Sequence, residues 1–202
     1  MPTLTPDQRQ QLGHQARAYL AAELRERAPE RMYLIASYDE APLADEGLTA
    51  LFSFSLNVGP GAGPPQEHYV VVGQTTPNYY PAYDLRADDV YSLHIGTLFA
   101  LTVGLTTLPL DEAPPEAGAA LRAAIRAVVP DVDVGEPVVT GLFRCEDETF
   151  AVYRVRVDGT EFAGCGADCP PGLYPRADLP PAVVLRWHLG RLIRGEGETP
   201  EE

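Results

Sequence analysis

The chain has 202 residues, 45% of them hydrophobic, enough for one large domain or two small ones with a buried core. Its 29 acids against 15 bases leave a net charge of −14, which argues against a nucleic-acid backbone or an anionic membrane as partner. No apolar run approaches the ~18 residues of a membrane-spanning helix, and MPTLTPDQRQQ lacks the charged start and apolar stretch of a signal peptide, so the expected location is cytoplasmic.

Thr5-Pro6-Asp7-Gln8 is a helix start, with Thr as cap, Pro at the first position and Gln three residues on. The first helix is expected to reach about Ala28. MYLIASY (32–38), LTALFSFSLNV (48–58) and HYVVVGQ (68–74) have strand composition. A loop, TTPNYYPAYDL, leads to a second helix from Ala87 to about Ala100. LTTLPLDEAPPEAG begins as a Pro-rich linker. A third helix is expected from about Pro115 to Val129. Strands follow at 136–145, 149–157 and 160–165, the last two joined by Asp158-Gly159, a type I′ turn pair. The fourth helix covers Pro181 to Arg194, and the acidic tail GEGETPEE (195–202) reads as disordered.

The chain repeats itself. YPAYDLRADDVYSLHIGTLF (80–99) lies over YPRADLPPAVVLRWHLGRLI (174–193) at an offset of 94, with eight of twenty positions identical. Composition would give about one or two. Leu85 with Val90, and Leu179 with Val184, form a hydrophobic staple at each helix entry. Upstream, AYLAAELRERAPE (18–30) lies over AALRAAIRAVVPD (119–131) at an offset of 101. About seven extra residues therefore sit between these matches in the first copy, and GPGAGPP (59–65) supplies them where the second copy has Asp158-Gly159. The expected fold is α+β: an internal duplication of an α-β-β-β-α unit, with antiparallel three-stranded sheets, helices packed on one face, and a pseudo-two-fold relation. The first repeat spans 5–100, the linker 101–114, the second repeat 115–194 and the tail 195–202. The two units could pack face to face or pair their edges into one six-stranded sheet; edge pairing is favoured because it would remove exposed edges.

His94 and His188 recur at the same place on the 3-4 stripes of their helices, so each faces the core. One reading is a core imidazole bonded to a backbone carbonyl or to Tyr80 and Tyr174. The other is a site between the repeats, built from His94, His188, Asp84 and Asp178. Gly96 and Gly190, inside these helices, imply a close approach of the two helices. Residues present in both copies serve shared folding needs; those present in one are better functional candidates. The first copy alone carries Tyr69, Tyr79, Tyr83 and Tyr91, where the second has Ala163, Leu173, Ala177 and Leu185. Tyr79, Tyr80, Tyr83 and Tyr91 are therefore the expected partner-binding residues. The second copy carries Cys145, Cys165 and Cys169, a weak metal set that Asp168 or His188 would complete; free buried thiols are the plainer reading.

There is no dinucleotide fingerprint, phosphate-binding Gly loop with Lys, GxSxG or HExxH. The element order is similar to that of double-stranded RNA-binding domains, but the helix starts Asp88-Asp89 and Pro180-Pro181 lack the bases such domains present to phosphate. No catalytic residue, cofactor or metal is expected. The leading expectation is a non-catalytic acidic binding or adaptor protein that engages a protein partner, its charge suiting a basic one. The alternative is a small-ligand protein or enzyme with a site between the repeats.

Overall fold

The first helix is set by its cap. In the computed structural model the Gln8 N–H donates to Thr5 Oγ1 (3.2 Å) and the Thr5 N–H donates to Gln8 Oε1 (2.9 Å), a complete capping box. Helix α1 runs Pro6–Leu24, and a 3-10 turn at Arg25–Arg27 ends it ahead of Pro29. The structure describes residues 3–39, 43, 47–56, 66–73, 77–81, 83–114, 116–145, 147–167 and 171–195. The loop GPGAGPP, residues Asp168 and Cys169, and the acidic tail after Gly195 lie outside the described residues. Two compact units divide the chain, Met1–His94 and Ile95–Glu202. The fold is α+β with four α-helices and two antiparallel sheets among the described residues. No helix among them is long and apolar enough to cross a membrane.

In the first unit, strands β1 (Met32–Tyr38), β2 (Thr49–Ser55), β3 (Glu67–Val72) and β4 (Asn78–Tyr80) form one sheet in chain order. Ala50, Phe52, Phe54, Val70 and Val72 line one face, against Leu12, Ala16, Leu20 and Leu24 of α1. Burying a Leu or Phe of this kind is worth roughly 1.5–3 kcal/mol. The other face carries Tyr38, Leu51, Tyr69, Val71 and Tyr80, all buried. Helix α2 (Ala87–Val103) covers it: Tyr38 donates to Asp88 Oδ1 (2.9 Å) and stacks on Tyr91, with ring centroids 3.8 Å apart.

The second unit is built around a five-stranded sheet. Its elements are β5 (Thr106–Thr107), α3 (Ala117–Val128), β6 (Val138–Cys145), β7 (Glu148–Val157), β8 (Thr160–Ala167), β9 (Gly172–Tyr174) and α4 (Pro181–Ile193). Leu121 and Ile125 of α3 pack on Leu142, Ala151, Tyr153 and Val155. The opposite face carries Tyr174, whose ring meets Trp187 and His188 of α4. The β7–β8 turn has Asp158 at φ 48° and Gly159 at φ 79°, the two left-handed residues of a type I′ hairpin.

Four features differ from the sequence expectation. Each sheet has a further short strand before its last helix, β4 and β9, because Asn78–Tyr80 and Gly172–Tyr174 extend the edge instead of looping. The helices cover opposite faces of each sheet, not one face, because strands such as HYVVV and TFAVY are apolar on both sides. The strands form two sheets, not one of six. The stretch 101–114 is no free linker: α2 continues to Val103, and β5 pairs with Phe143 and Arg144 of β6.

Pairing registers correspond between the sheets. Leu34↔Phe52 and Ser37↔Ala50 have counterparts Val139↔Tyr153 and Leu142↔Ala151. The bulge between Leu34 and Ala36 has a counterpart between Val139 and Gly141. Tyr69↔Tyr80 corresponds to Ala163↔Tyr174, and Val71↔Asn78 to Cys165↔Gly172.

Candidate functional site

His94 and His188 are sealed in the core, at 1% and 2% exposure. Each has a tyrosine on its own Nδ1: Tyr80 Oη at 3.1 Å from His94, and Tyr174 Oη at 2.7 Å from His188. Both rings are met edge to face. Burial pushes each imidazole down to about 4, with the Arg191 charge adding to the effect at His188. Both are therefore neutral near pH 7. Gly172 makes the second pair possible, since a Cβ there would come within 2.6 Å of His188 Nδ1 and 2.7 Å of the Tyr174 hydroxyl. Asp84 and Asp178 are exposed. Asp178 is held by Arg176 through two 2.9 Å hydrogen bonds, which keep its carboxyl below the usual range. Within each unit, a carboxylate in water and an imidazole in the core do not make one site.

The tyrosine expectation needs correction. Tyr80 is 6% exposed and Tyr91 0%, so neither offers surface to a partner. Tyr80 is engaged by His94, and Tyr91 by Tyr38. Residues 90–96 of α2 are buried without a break, so this stretch has no polar face to show solvent. Tyr69 is buried too, its hydroxyl 3.3 Å from Glu67 Oε2. Tyr79 and Tyr83 are half-buried.

Tyr79 is part of a cluster that the sequence reading missed. Its hydroxyl lies 2.9 Å from His68 Nδ1. Phe54, His68 and Tyr79 form a triangle of rings with centroids 5.7–5.9 Å apart. Alternation along β2, β3 and β4 puts all three side chains on the face that α1 covers. Tyr19 of α1 packs against the same core. Burial, then the Arg27 charge, lower the His68 pKa. Burial raises that of Tyr79, with Arg27 opposing and Tyr83 adding to the rise. His68 is thus a neutral imidazole and Tyr79 a protonated phenol. The missing signal was present: at the offset of 94, His68 lies over Phe162 and Tyr79 over Leu173, and at 101, Tyr19 lies over Ala120 and Arg27 over Val128.

Cys145 and Cys165 are buried. Among the described residues no three His, Cys, Asp or Glu side chains gather as a metal site. The chain matches no protein-family model, no curated protein and no solved structure.

Proposed function

We propose that this chain is a non-catalytic binding protein, made by duplication of one α-ββββ-α unit, whose first unit contacts a partner protein. The corresponding registers and the corresponding bulge support the duplication. Side-chain pairing is dictated by register, and independent sheets have no reason to place a bulge at the same point.

One observation carries the functional reading. The first unit pairs Tyr79 with His68 and alone carries Tyr19, Arg27 and Tyr83; the second has Ala120, Val128, Phe162, Leu173 and Ala177 at the aligned positions. The second unit packs its sheet with the plain apolar set, so packing does not require the polar one. Half-buried Tyr with an exposed Arg is the composition of contact sites. Neutral His68 and protonated Tyr79 favour hydrogen-bonded recognition over charge-driven chemistry.

The test is affinity capture from extracts of the source cells, with wild type against the double variant His68→Phe/Tyr79→Leu. These substitutions install the second unit's own residues, so folding is expected to survive. A stoichiometric protein retained by the wild type and lost at least about tenfold from the variant supports the reading. Equal retention by a variant with unchanged thermal unfolding overturns it. So does a native mass spectrum of the purified chain carrying an organic small molecule.

A further inference from the structure

Among the described residues the two sheets end in four edge strands, and three are short: β4, β5 and β9 have two or three residues each. Short edges offer little backbone for another chain to pair with. The fourth edge, β1, has seven residues, MYLIASY, with no charge or proline among them. Its outer side pairs with no strand among the described residues. Tyr33 is 61% exposed, and Ile35, which falls at the bulge outside the β2 register, is 37% exposed. The corresponding strand of the second unit is closed by β5 at Phe143 and Arg144, and polar Thr140 stands at its bulge. The charges that bracket the two strands also differ. In the common register Arg31 corresponds to Glu136, and Asp39 to Arg144. Glu136 pairs with Arg122, and Arg144 with Glu112. Arg31 and Asp39 are exposed and make no ion pair among the described residues.

From this open apolar edge, bracketed by opposite charges, we infer that β1 pairs antiparallel with β1 of a second copy of the chain, about a two-fold axis at Ile35. A two-fold pairing is self-complementary, so every contact away from the axis occurs twice. Reversal of the second strand sets Arg31 of each copy against Asp39 of the other. Between these ends Ile35 meets Ile35, Leu34 meets Ala36 and Tyr33 meets Ser37, with no like charges opposed. An in-register parallel pairing would set Arg31 beside Arg31 and Asp39 beside Asp39, and a slip by one residue would lose both ion pairs. Strand addition supplies backbone hydrogen bonds, and the end charges supply the register. The net charge of −14 on each chain repels at a distance, but salt screens it beyond roughly 10 Å, so the local match decides. A second copy is favoured over a foreign strand because the edge carries its own complement.

This pairing is independent of the His68–Tyr79 cluster and of any partner held there. Its test is sedimentation equilibrium of the purified full chain at neutral pH in roughly 150 mM salt, over about 5 to 500 µM protein. The expected result is a reversible monomer–dimer equilibrium with a dissociation constant of about 100 µM or tighter. Ile35→Lys sets two like charges against each other at the axis and should weaken the dimer at least about tenfold. Position 35 is exposed, so thermal unfolding of this variant should stay close to wild type. Arg31→Asp alone opposes two acids at each end and should weaken the dimer about fivefold, and Arg31→Asp/Asp39→Arg should restore it. A chain that stays monomeric throughout the range overturns the inference. So does a dimer that a folded Ile35→Lys variant leaves unchanged, or a double variant no tighter than Arg31→Asp alone.

Discussion

The Tyr174 hydroxyl lies 2.7 Å from His188 Nδ1, and Tyr80 meets His94 in the same way at 3.1 Å. Each imidazole pairs with a hydroxyl in a site that disfavours its charged form. Burial takes both pKa values from the ordinary 6.5 to about 4. The unfolded chain therefore binds more protons than the folded one as the pH falls. The stability contributed by the neutral rings is present in full above pH 6.5 and is lost progressively between about 6.5 and 4. Each ring accounts for on the order of 3 kcal/mol, and the pair for a large share of a typical domain's 5–15 kcal/mol. Urea midpoints measured across this range should fall steeply with acid. A midpoint independent of pH between 6.5 and 4.5 would show that the rings are not held neutral.

The hydroxyls should have opposite effects in two tyrosines of the second unit. Tyr174→Phe leaves a buried imidazole nitrogen without its hydroxyl partner, a loss of about 1–3 kcal/mol. Tyr153 is equally buried, but its hydroxyl has no hydrogen-bond partner among the described residues, and burial pushes its phenol up to about 12. Tyr153→Phe removes an uncompensated polar group and should be neutral or stabilise by up to about 1 kcal/mol. Denaturant unfolding of both variants decides this, and a Tyr153→Phe loss as large as that of Tyr174→Phe would point to a partner for that hydroxyl.

Local chemistry made much of this legible in the sequence. Thr5 and Gln8 form their box, Asp158-Gly159 makes its turn, and the recurring His with its Tyr fourteen residues upstream forms a core pair in both units. The features missed depend on what lies over a surface. Tyr91 looks like a recognition residue until the burial of its whole helix stretch is known. Apolar runs such as Val70-Val71-Val72 signalled two covered faces, but only a placed helix shows which residues each face hides. His68 was legible in principle, by comparing the copies position by position. Tyr composition alone does not reveal the residue that Tyr79 bonds.

The cap at the start of α1 should be worth about 1 kcal/mol. Thr5→Ala removes the acceptor for the Gln8 N–H and one half of the box. Thr5→Ser keeps the oxygen and should fall within a few tenths of wild type. Thermal unfolding of the two variants provides the comparison, and equal losses would mean that the hydroxyl is not the source.

The same substitution should change sign between two helices. Gly13 lies inside α1, with nothing within 4 Å of where a Cβ would stand. Gly13→Ala gains helix propensity and should stabilise by about 0.5–1 kcal/mol. Gly96 lies inside α2, and a Cβ there would overlap the Arg186 carbonyl of α4 and come to 2.9 Å of the Gly190 nitrogen. That neighbour is backbone in a packed helix, so it cannot swing aside as a flexible side chain would. The carbonyl takes the place a Cβ would fill, and close approach of this kind favours Cα–H···O contacts between helices. Gly96→Ala should therefore lose about 1–3 kcal/mol to overpacking after its propensity gain is counted. Paired urea titrations of the two variants measure the difference. If Gly96→Ala proves as stable as Gly13→Ala, α2 and α4 do not cross at these glycines, and the glycine that recurs at position 190 needs another explanation.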